Sequence, residues 1–65
     1  MVENKIKSYR SQMGLSQDQL AEKSGVARTI ISQLETGTRT VITSETMLKL
    51  AKALDSSVSD IFLLE

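Results

Sequence analysis

The apolar positions of this 65-residue chain recur every three or four residues, which is the period of short amphipathic helices. The first such segment covers residues 3–13 and predicts a helix whose outer faces carry the basic side chains. Its apolar positions at helical spacing are Ile6, Tyr9 and Met13. A second helix is predicted from Ser16, which forms a capping-box pattern with Gln19, to about Ser24.

The pattern predicts three further helices in the rest of the chain. The third covers about residues 27–35, the fourth begins at a cap supplied by Thr43 or Ser44, and a short fifth follows Ser57. The inward positions are Met47, Leu50, Ala51 and Leu54 in the fourth helix, and Val58, Ile61 and Phe62 in the fifth. There is no proline, and all three glycines fall between periodic segments, as helix-ending glycines do. We therefore predict a compact all-α domain of five helices over residues 1–65.

The second and third helices are predicted to be joined by a tight turn at Gly25, which can adopt a left-handed conformation. Ala21 and Gly25 lie four residues apart, and we expect both to be small because the two helices cross closely there. On a helical wheel of the third helix, one stripe is apolar and is expected to face the core. Its members are Ala27, Ile31 and Leu34.

The opposite side of the third helix is short, polar and almost free of acidic residues. It carries Thr29, Ser32, Gln33 and Thr36, with Arg28 on one flank and Ile30 on the other. The major groove of DNA admits a helix, and its base edges match arginine, glutamine and hydroxyl side chains, while a thymine methyl can meet the methyl groups of Thr29 and Ile30. This face suits base reading, although an ordinary solvated helix face would have the same composition.

Composition excludes several other classes of function. Without cysteine or histidine the chain has no disulfide framework and no zinc site of the usual kind. No serine lies in a motif with a neighbouring base, so we expect neither an enzyme nor a metal, cofactor or small-molecule ligand. No apolar run approaches the roughly 20 residues that span a bilayer, and the N-terminus lacks a signal-peptide core. We expect a soluble cytoplasmic protein.

The formal net charge of zero conceals a weak asymmetry along the chain. Residues 1–40 contain six basic and four acidic residues, a net charge of +2, whereas residues 41–65 contain two basic and four acidic residues, a net charge of −2. A polyanion should therefore bind the first two-thirds of the chain.

Four stretches of the sequence together resemble the Cro/repressor-type helix-turn-helix family, often called the XRE family. They are GLSQDQLAEKSGV, IISQLETGTR, TMLKLAKAL and VSDIF, which occur in the family's order and spacing and cover nearly the whole chain. The resemblance implies a lambda-repressor-like five-helix domain whose helix-turn-helix is formed by the second and third helices. It also implies a transcriptional regulator, a repressor, that binds a palindromic double-stranded DNA operator as a homodimer.

The resemblance also implies roles for individual residues. The base-reading positions are Arg28, Thr29, Ser32 and Gln33. Gln17 matches a position that contacts the DNA backbone and braces the third helix. The remaining candidates for backbone contact are Ala27, Thr36, Thr38, Arg39 and Thr40. Ala27 stands where the family often has a capping serine or threonine, so we expect the third helix to be weakly capped.

Two further expectations concern structure and assembly. Glu35 lies beside the apolar stripe of the third helix, and we expect it to form an ion pair with Arg10, the only arginine of the first helix. Four apolar side chains have no obvious place in the core and suggest a dimer interface: Val41, Ile42, Leu63 and Leu64. The alternative function is a protein-interaction or antitoxin-type module that uses the same fold.

Overall fold

A computed structural model describes residues 3–38 and 41–63 of the chain. The helices are α1 (Ile6–Gln12), α2 (Gln17–Ser24), α3 (Arg28–Thr36), α4 (Ser44–Ala53) and α5 (Val58–Ile61). The five predicted helices and their order are confirmed. Two short strands, β1 (Glu3–Asn4) and β2 (Phe62–Leu63), also form an antiparallel pair in which Glu3 faces Leu63 and Asn4 faces Phe62.

Side-chain caps fix the starts of three helices where the sequence predicted them. The Ser16 hydroxyl accepts from the Gln19 N–H at 3.0 Å, and the Gln19 side chain accepts from the Ser16 N–H at 2.8 Å, completing the capping box of α2. Thr43 caps α4, and Ser57 forms a second capping box with Asp60 at the start of α5. These local bonds satisfy N–H groups that a helix start leaves without partners.

The first helix is shorter than the predicted 3–13. It begins at Ile6 because Asn4 belongs to β1, and the Lys5 N–H donates to the Ile61 carbonyl at 2.7 Å. The helix also ends before Met13, the last of the three apolar positions at helical spacing. Met13 is the C-cap of α1 and is exposed, so the helical spacing that counted it extended past the end of the helix.

The core contains apolar side chains from every helix. Its buried members are Ile6, Leu20, Val26, Ile31, Leu34, Leu50, Ala51, Ala53, Leu54, Ile61 and Phe62. Phe62 is buried as predicted, but it lies in β2 rather than in a continuation of α5. Because this core contacts α3 through Ile31 and Leu34, it determines which side of α3 remains accessible.

The turn between α2 and α3 is held by Gly25, whose φ of 76° is left-handed. An added Cβ at this position would meet nothing within 4 Å, so the expectation of a close helix crossing at Gly25 is wrong. Glycine is favoured here by the backbone conformation alone. Ala21 is half-buried and packs against the core.

The described part of the chain lacks two features that other functions would require. In residues 3–38 and 41–63, no helix is long and apolar enough to cross a membrane. The same residues contain no group of three or more histidine, cysteine, aspartate or glutamate side chains that could hold a metal ion.

Candidate nucleic-acid interface

The four predicted base-reading residues lie together on the outer side of α3. Arg28 and Thr29 are exposed, and Ser32 and Gln33 are half-buried. All four line one shallow surface groove of about 230 Å³. Because α3 buries Ile31 and Leu34 on its other side, this groove remains directed outwards. Guanidinium, amide and hydroxyl groups in one place form a surface that can bond base edges.

Two residues that flank this face differ from their expected placement. Ala27 is exposed and is not part of the buried stripe, because it is the N-cap of α3, and its ψ of 139° lies outside the helical range. The helical wheel therefore does not apply to it. No side chain caps α3 at this end, in agreement with the expected weak cap. Ile30 is half-buried and packs against the core, which leaves it only partly available to a ligand.

The C-terminal end of α3 carries two hydroxyl groups with defined partners. The Thr36 hydroxyl donates to the Ser32 carbonyl at 3.0 Å and lies 2.6 Å from the Thr38 hydroxyl. The Thr38 N–H donates to the Gln33 carbonyl at 3.0 Å, and Gly37 has the left-handed φ of a helix end. Both threonines are exposed at the predicted backbone-contact positions. Arg39 and Thr40, the other two candidates in this loop, lie outside the described residues.

A nearly buried ionic junction connects three elements beneath this surface. Arg10 donates from Nε to Glu35 Oε2 at 2.8 Å and from Nη2 to Glu35 Oε1 at 3.0 Å, and the exposed fractions of the two side chains are 14% and 4%. The ion pair expected from the sequence is therefore present. Arg10 Nη1 also donates to the Leu15 carbonyl at 2.7 Å, and Gln17 Nε2 donates to Glu35 Oε1 at 3.2 Å. The junction thus connects α1 and the first residue of α2 to α3.

This junction sets the protonation state of Glu35. Burial opposes ionisation of the carboxyl group, but hydrogen bonds from Arg10 and Gln17, with the positive charges of Arg10 and Lys7, outweigh burial. The pKa of Glu35 therefore lies below its ordinary value. The hydrogen bond to Glu35 also raises the pKa of Arg10. Glu35 is an anion at neutral pH, and its charge is neutralised inside the protein rather than presented to a ligand.

A second arginine pair, which the sequence did not predict, lies at the exposed start of α3. Arg28 Nε is 3.2 Å from Asp18 Oδ1, and the two side chains are 62% and 76% exposed. Asp18 lies in the first turn of α2, so this pair bridges the beginnings of the two helices. Its spacing of ten residues across a turn carries no periodic signal.

Asn4 is a second residue whose role the sequence did not predict. Its Nδ2 donates to the Leu34 carbonyl at 2.9 Å, and its Oδ1 accepts from the Ile6 N–H at 3.2 Å. The side chain thus satisfies a carbonyl near the end of α3 and an N–H at the start of α1. Because Asn4 is also paired with Phe62, it links both ends of the described chain to the helix that carries the groove.

Of the four residues expected at a dimer interface, Val41 and Ile42 differ in their exposure. Val41 is 77% exposed, whereas Ile42 is half-buried and packs against the core, so the expectation that Ile42 has no place in the core is wrong. Leu63 forms part of β2, and Leu64 lies outside the described residues. Leu48 on α4 is a further exposed apolar side chain, with an exposed fraction of 48%.

Comparison with protein families gives one match over most of the chain. Residues 6–61 match a family model described as "Helix-turn-helix". Residues 14–38, which contain the groove and the turn at Gly25, lie within the matched range. The match therefore includes every described helix.

Individual relatives agree with this match. The chain is 51% identical over 53 residues to "Control protein C.SmaI" of Serratia marcescens, an alignment that covers 82% of this chain and 62% of that protein. It is 38% identical to "HTH-type transcriptional regulator SinR" of Bacillus subtilis, over 89% of this chain and 52% of that protein. The chain thus spans between half and two-thirds of the length of these two relatives.

Two solved structures have the same fold. One is described as the master regulator for biofilm formation SinR in complex with DNA; it has a TM-score of 0.81 and 38% identity, covering 85% of this chain and 87% of that chain. The other is the restriction-modification controller protein C.AhdI from Aeromonas hydrophila, with a TM-score of 0.79 and 38% identity, covering 86% of this chain and 83% of that chain.

Proposed function

The chain belongs to the helix-turn-helix family, and from this premise we propose that it is a sequence-specific DNA-binding transcriptional regulator that reads the major groove with α3. The observation that carries the proposal is the shared groove of Arg28, Thr29, Ser32 and Gln33 on the outer side of α3. A similar solved structure, that of SinR, is a complex with DNA. The proposed action is binding, without catalysis, by a single domain over residues 1–65.

The base-reading face and the backbone-contact residues have different tasks in this proposal. Arg28 and Gln33 bond base edges, while Thr29 and Ser32 add shorter contacts in the same groove. Gln17, Ala27, Thr36 and Thr38 surround that face and contact phosphates, together with Arg39 and Thr40. Gln17 suits this task because its amide is already oriented by Glu35, so that less side-chain freedom is lost on binding.

We also propose that the regulator is a homodimer, acts in the cytoplasm and represses transcription from a palindromic operator. The exposed side chain of Val41 and the net charge of −2 over residues 41–65 favour a partner contact on the side away from DNA. Two copies whose α3 helices lie about 34 Å apart would read successive major grooves on one side of the duplex. Val41→Asp tests this interface, because a charge there should increase the dimer dissociation constant in sedimentation while α-helical content is retained.

The experiment for the proposed function selects duplexes bound by the protein from a random pool and then measures their competition with random DNA. We expect enriched inverted half-sites about 10 base pairs apart and a preference of about 1,000-fold or more over random duplex. The double variant Arg28→Ala, Gln33→Ala should lose this preference. Lys52→Ala is the control, because it removes an exposed positive charge from α4 and should retain the preference.

Two results would contradict the proposal. One is a pool without any enriched sequence, which would favour the alternative of a protein-interaction or antitoxin-type module. The other is a preference that is lost in the α4 control variant and retained in the α3 double variant, which would place the DNA contact on a different surface.

A further inference from the structure

The exposed pair at the start of α3 places an acidic group beside a proposed base-reading residue. Arg28 is the first residue of α3, and Asp18 lies in the first turn of α2. Arg28 Nε lies 3.2 Å from Asp18 Oδ1, and both side chains are largely accessible to solvent. An exposed ion pair of this kind contributes little to folding stability. An effect of this pair is therefore expected in binding more than in stability.

The shortest contact is made through Nε, at the inner edge of the guanidinium group. A guanidinium is planar, and its two terminal nitrogens form a second edge that can bond the O6 and N7 atoms of guanine. We propose that Asp18 is a positioning residue for specificity: it holds Arg28 at Nε and directs the terminal nitrogens towards a guanine in the major groove. This inference rests on the proposed function of the α3 face.

The negative charge of Asp18 should act on binding in a second way. Asp18 Oδ1 lies 3.2 Å from Nε of Arg28, so in the proposed complex its carboxylate lies close to the DNA. A carboxylate near phosphates weakens binding to every duplex equally. The oriented arginine strengthens binding only to a duplex that presents a guanine to it. Asp18 therefore lowers affinity for random DNA while it increases discrimination.

A purely local role for Asp18 predicts a different result. An acidic residue in the first turn of a helix also stabilises that helix through the helix dipole. If this were its only role, removing the charge would reduce the stability of α2 without changing which base pair is preferred. Base preference is thus the quantity that separates the two roles.

The test compares Asp18→Asn with Glu22→Gln, each of which removes one exposed negative charge from α2. The probes are the selected duplex, its single-base-pair variants and random duplex, and Arg28→Ala identifies the base pair that Arg28 reads. Asp18→Asn should reduce the preference at that base pair by about two- to five-fold, the range set by an exposed ion pair. It should also increase affinity for random duplex. Glu22→Gln should leave the preference unchanged.

The same substitution in an Arg28→Ala background completes the test, since a residue that acts through Arg28 has no further effect on preference when Arg28 is absent. Equal losses of preference with and without Arg28 would overturn the inference. So would an unchanged preference in Asp18→Asn when Arg28→Ala loses it, although the proposed function would then stand. A wild-type protein that prefers no duplex would overturn both.

Discussion

Two arginine–carboxylate pairs lie at opposite ends of α3 and differ in burial, hydrogen bonding and contact distance. Arg10 and Glu35 are nearly buried and share two hydrogen bonds; Arg10 also donates to the Leu15 carbonyl, and Glu35 also accepts from Gln17. Arg28 and Asp18 are largely exposed and meet at one longer contact. Removing one partner from the first pair leaves a charge with little water, whereas removing one from the second exposes a charge that water already solvates.

The difference indicates how α3 can be fixed in position while its outer side stays accessible to a ligand. Glu35 fixes α3 against α1 and α2 from the inner side, so the helix itself does not have to be ordered on binding. Arg28 remains largely exposed beside Asp18, so its terminal guanidinium nitrogens can bind a base edge. The buried pair therefore belongs to folding and the exposed pair to recognition.

The largest expected effect is on stability at the buried pair. Glu35→Gln should lower the free energy of unfolding by roughly 3 kcal/mol, because Arg10 keeps its charge and loses the carboxylate that neutralises it. Urea unfolding at pH 7 measures this change. Asp18→Asn is the matched control at the exposed pair and should change stability by no more than about 0.5 kcal/mol. Similar losses in the two variants would contradict the division between the pairs.

The next effect is on DNA binding, where the exposed pair is expected to matter more than the buried pair. Arg28→Ala and Gln33→Ala should each weaken binding to the selected duplex by about 1–3 kcal/mol, the value of a bidentate base contact. Gln33→Ala should bind random duplex almost as before, whereas Arg28→Ala, which also removes a positive charge near the phosphates, should bind it slightly less tightly. Fluorescence anisotropy with both duplexes measures this. A uniform loss on both duplexes would instead assign these residues to the backbone.

A smaller loss of stability is expected at Asn4. Asn4→Ala removes the hydrogen bonds to the Leu34 carbonyl and from the Ile6 N–H, and should lower the free energy of unfolding by about 1–2 kcal/mol. Thermal unfolding followed by circular dichroism measures it. Ser16→Ala, which removes a helix cap remote from this contact, should cost about 1 kcal/mol. An Asn4 variant as stable as wild type would show that these hydrogen bonds do not stabilise the packing of α3.

The smallest expected effect is a difference in acid sensitivity. Because the pKa of Glu35 is lowered in the folded state, its ionisation stabilises the protein above the unfolded-state value of about 4.3. This contribution is lost as pH falls through the folded-state pKa. Asp60, whose pKa is lowered by hydrogen bonds from Ser57, contributes in the same direction. Stability measured from pH 7 to pH 3 should fall more steeply in wild type than in Glu35→Gln; parallel curves would contradict this.

Features with a local cause could be predicted from the sequence. Ser16 and Ser57 mark helix starts because a capping bond spans only three residues, and Glu35 needed a cation because it adjoins the buried stripe. The same reasoning was wrong for Ala27, since the helical wheel was extended to a residue that precedes the first helical turn.

Features that depend on distant chain segments could not be predicted in this way. The strands have two residues each, too few for an alternating pattern, and Asn4 contacts a carbonyl 30 residues away. The contact between Asp18 and Arg28 depends on the direction in which Gly25 turns the chain. Within the candidate site, the shared face of α3 followed from periodicity, whereas the acidic partner of Arg28 required the tertiary structure.

A nuclear magnetic resonance titration of the ¹⁵N-labelled protein with the selected duplex tests most directly whether α3 reads DNA. We expect the largest shift changes along the outer side of α3, at Arg28, Thr29, Ser32 and Gln33, and unchanged resonance positions for Arg10 and Glu35. Changes concentrated instead around Val41 and Leu48, with α3 unaffected, would contradict the claim that α3 reads DNA.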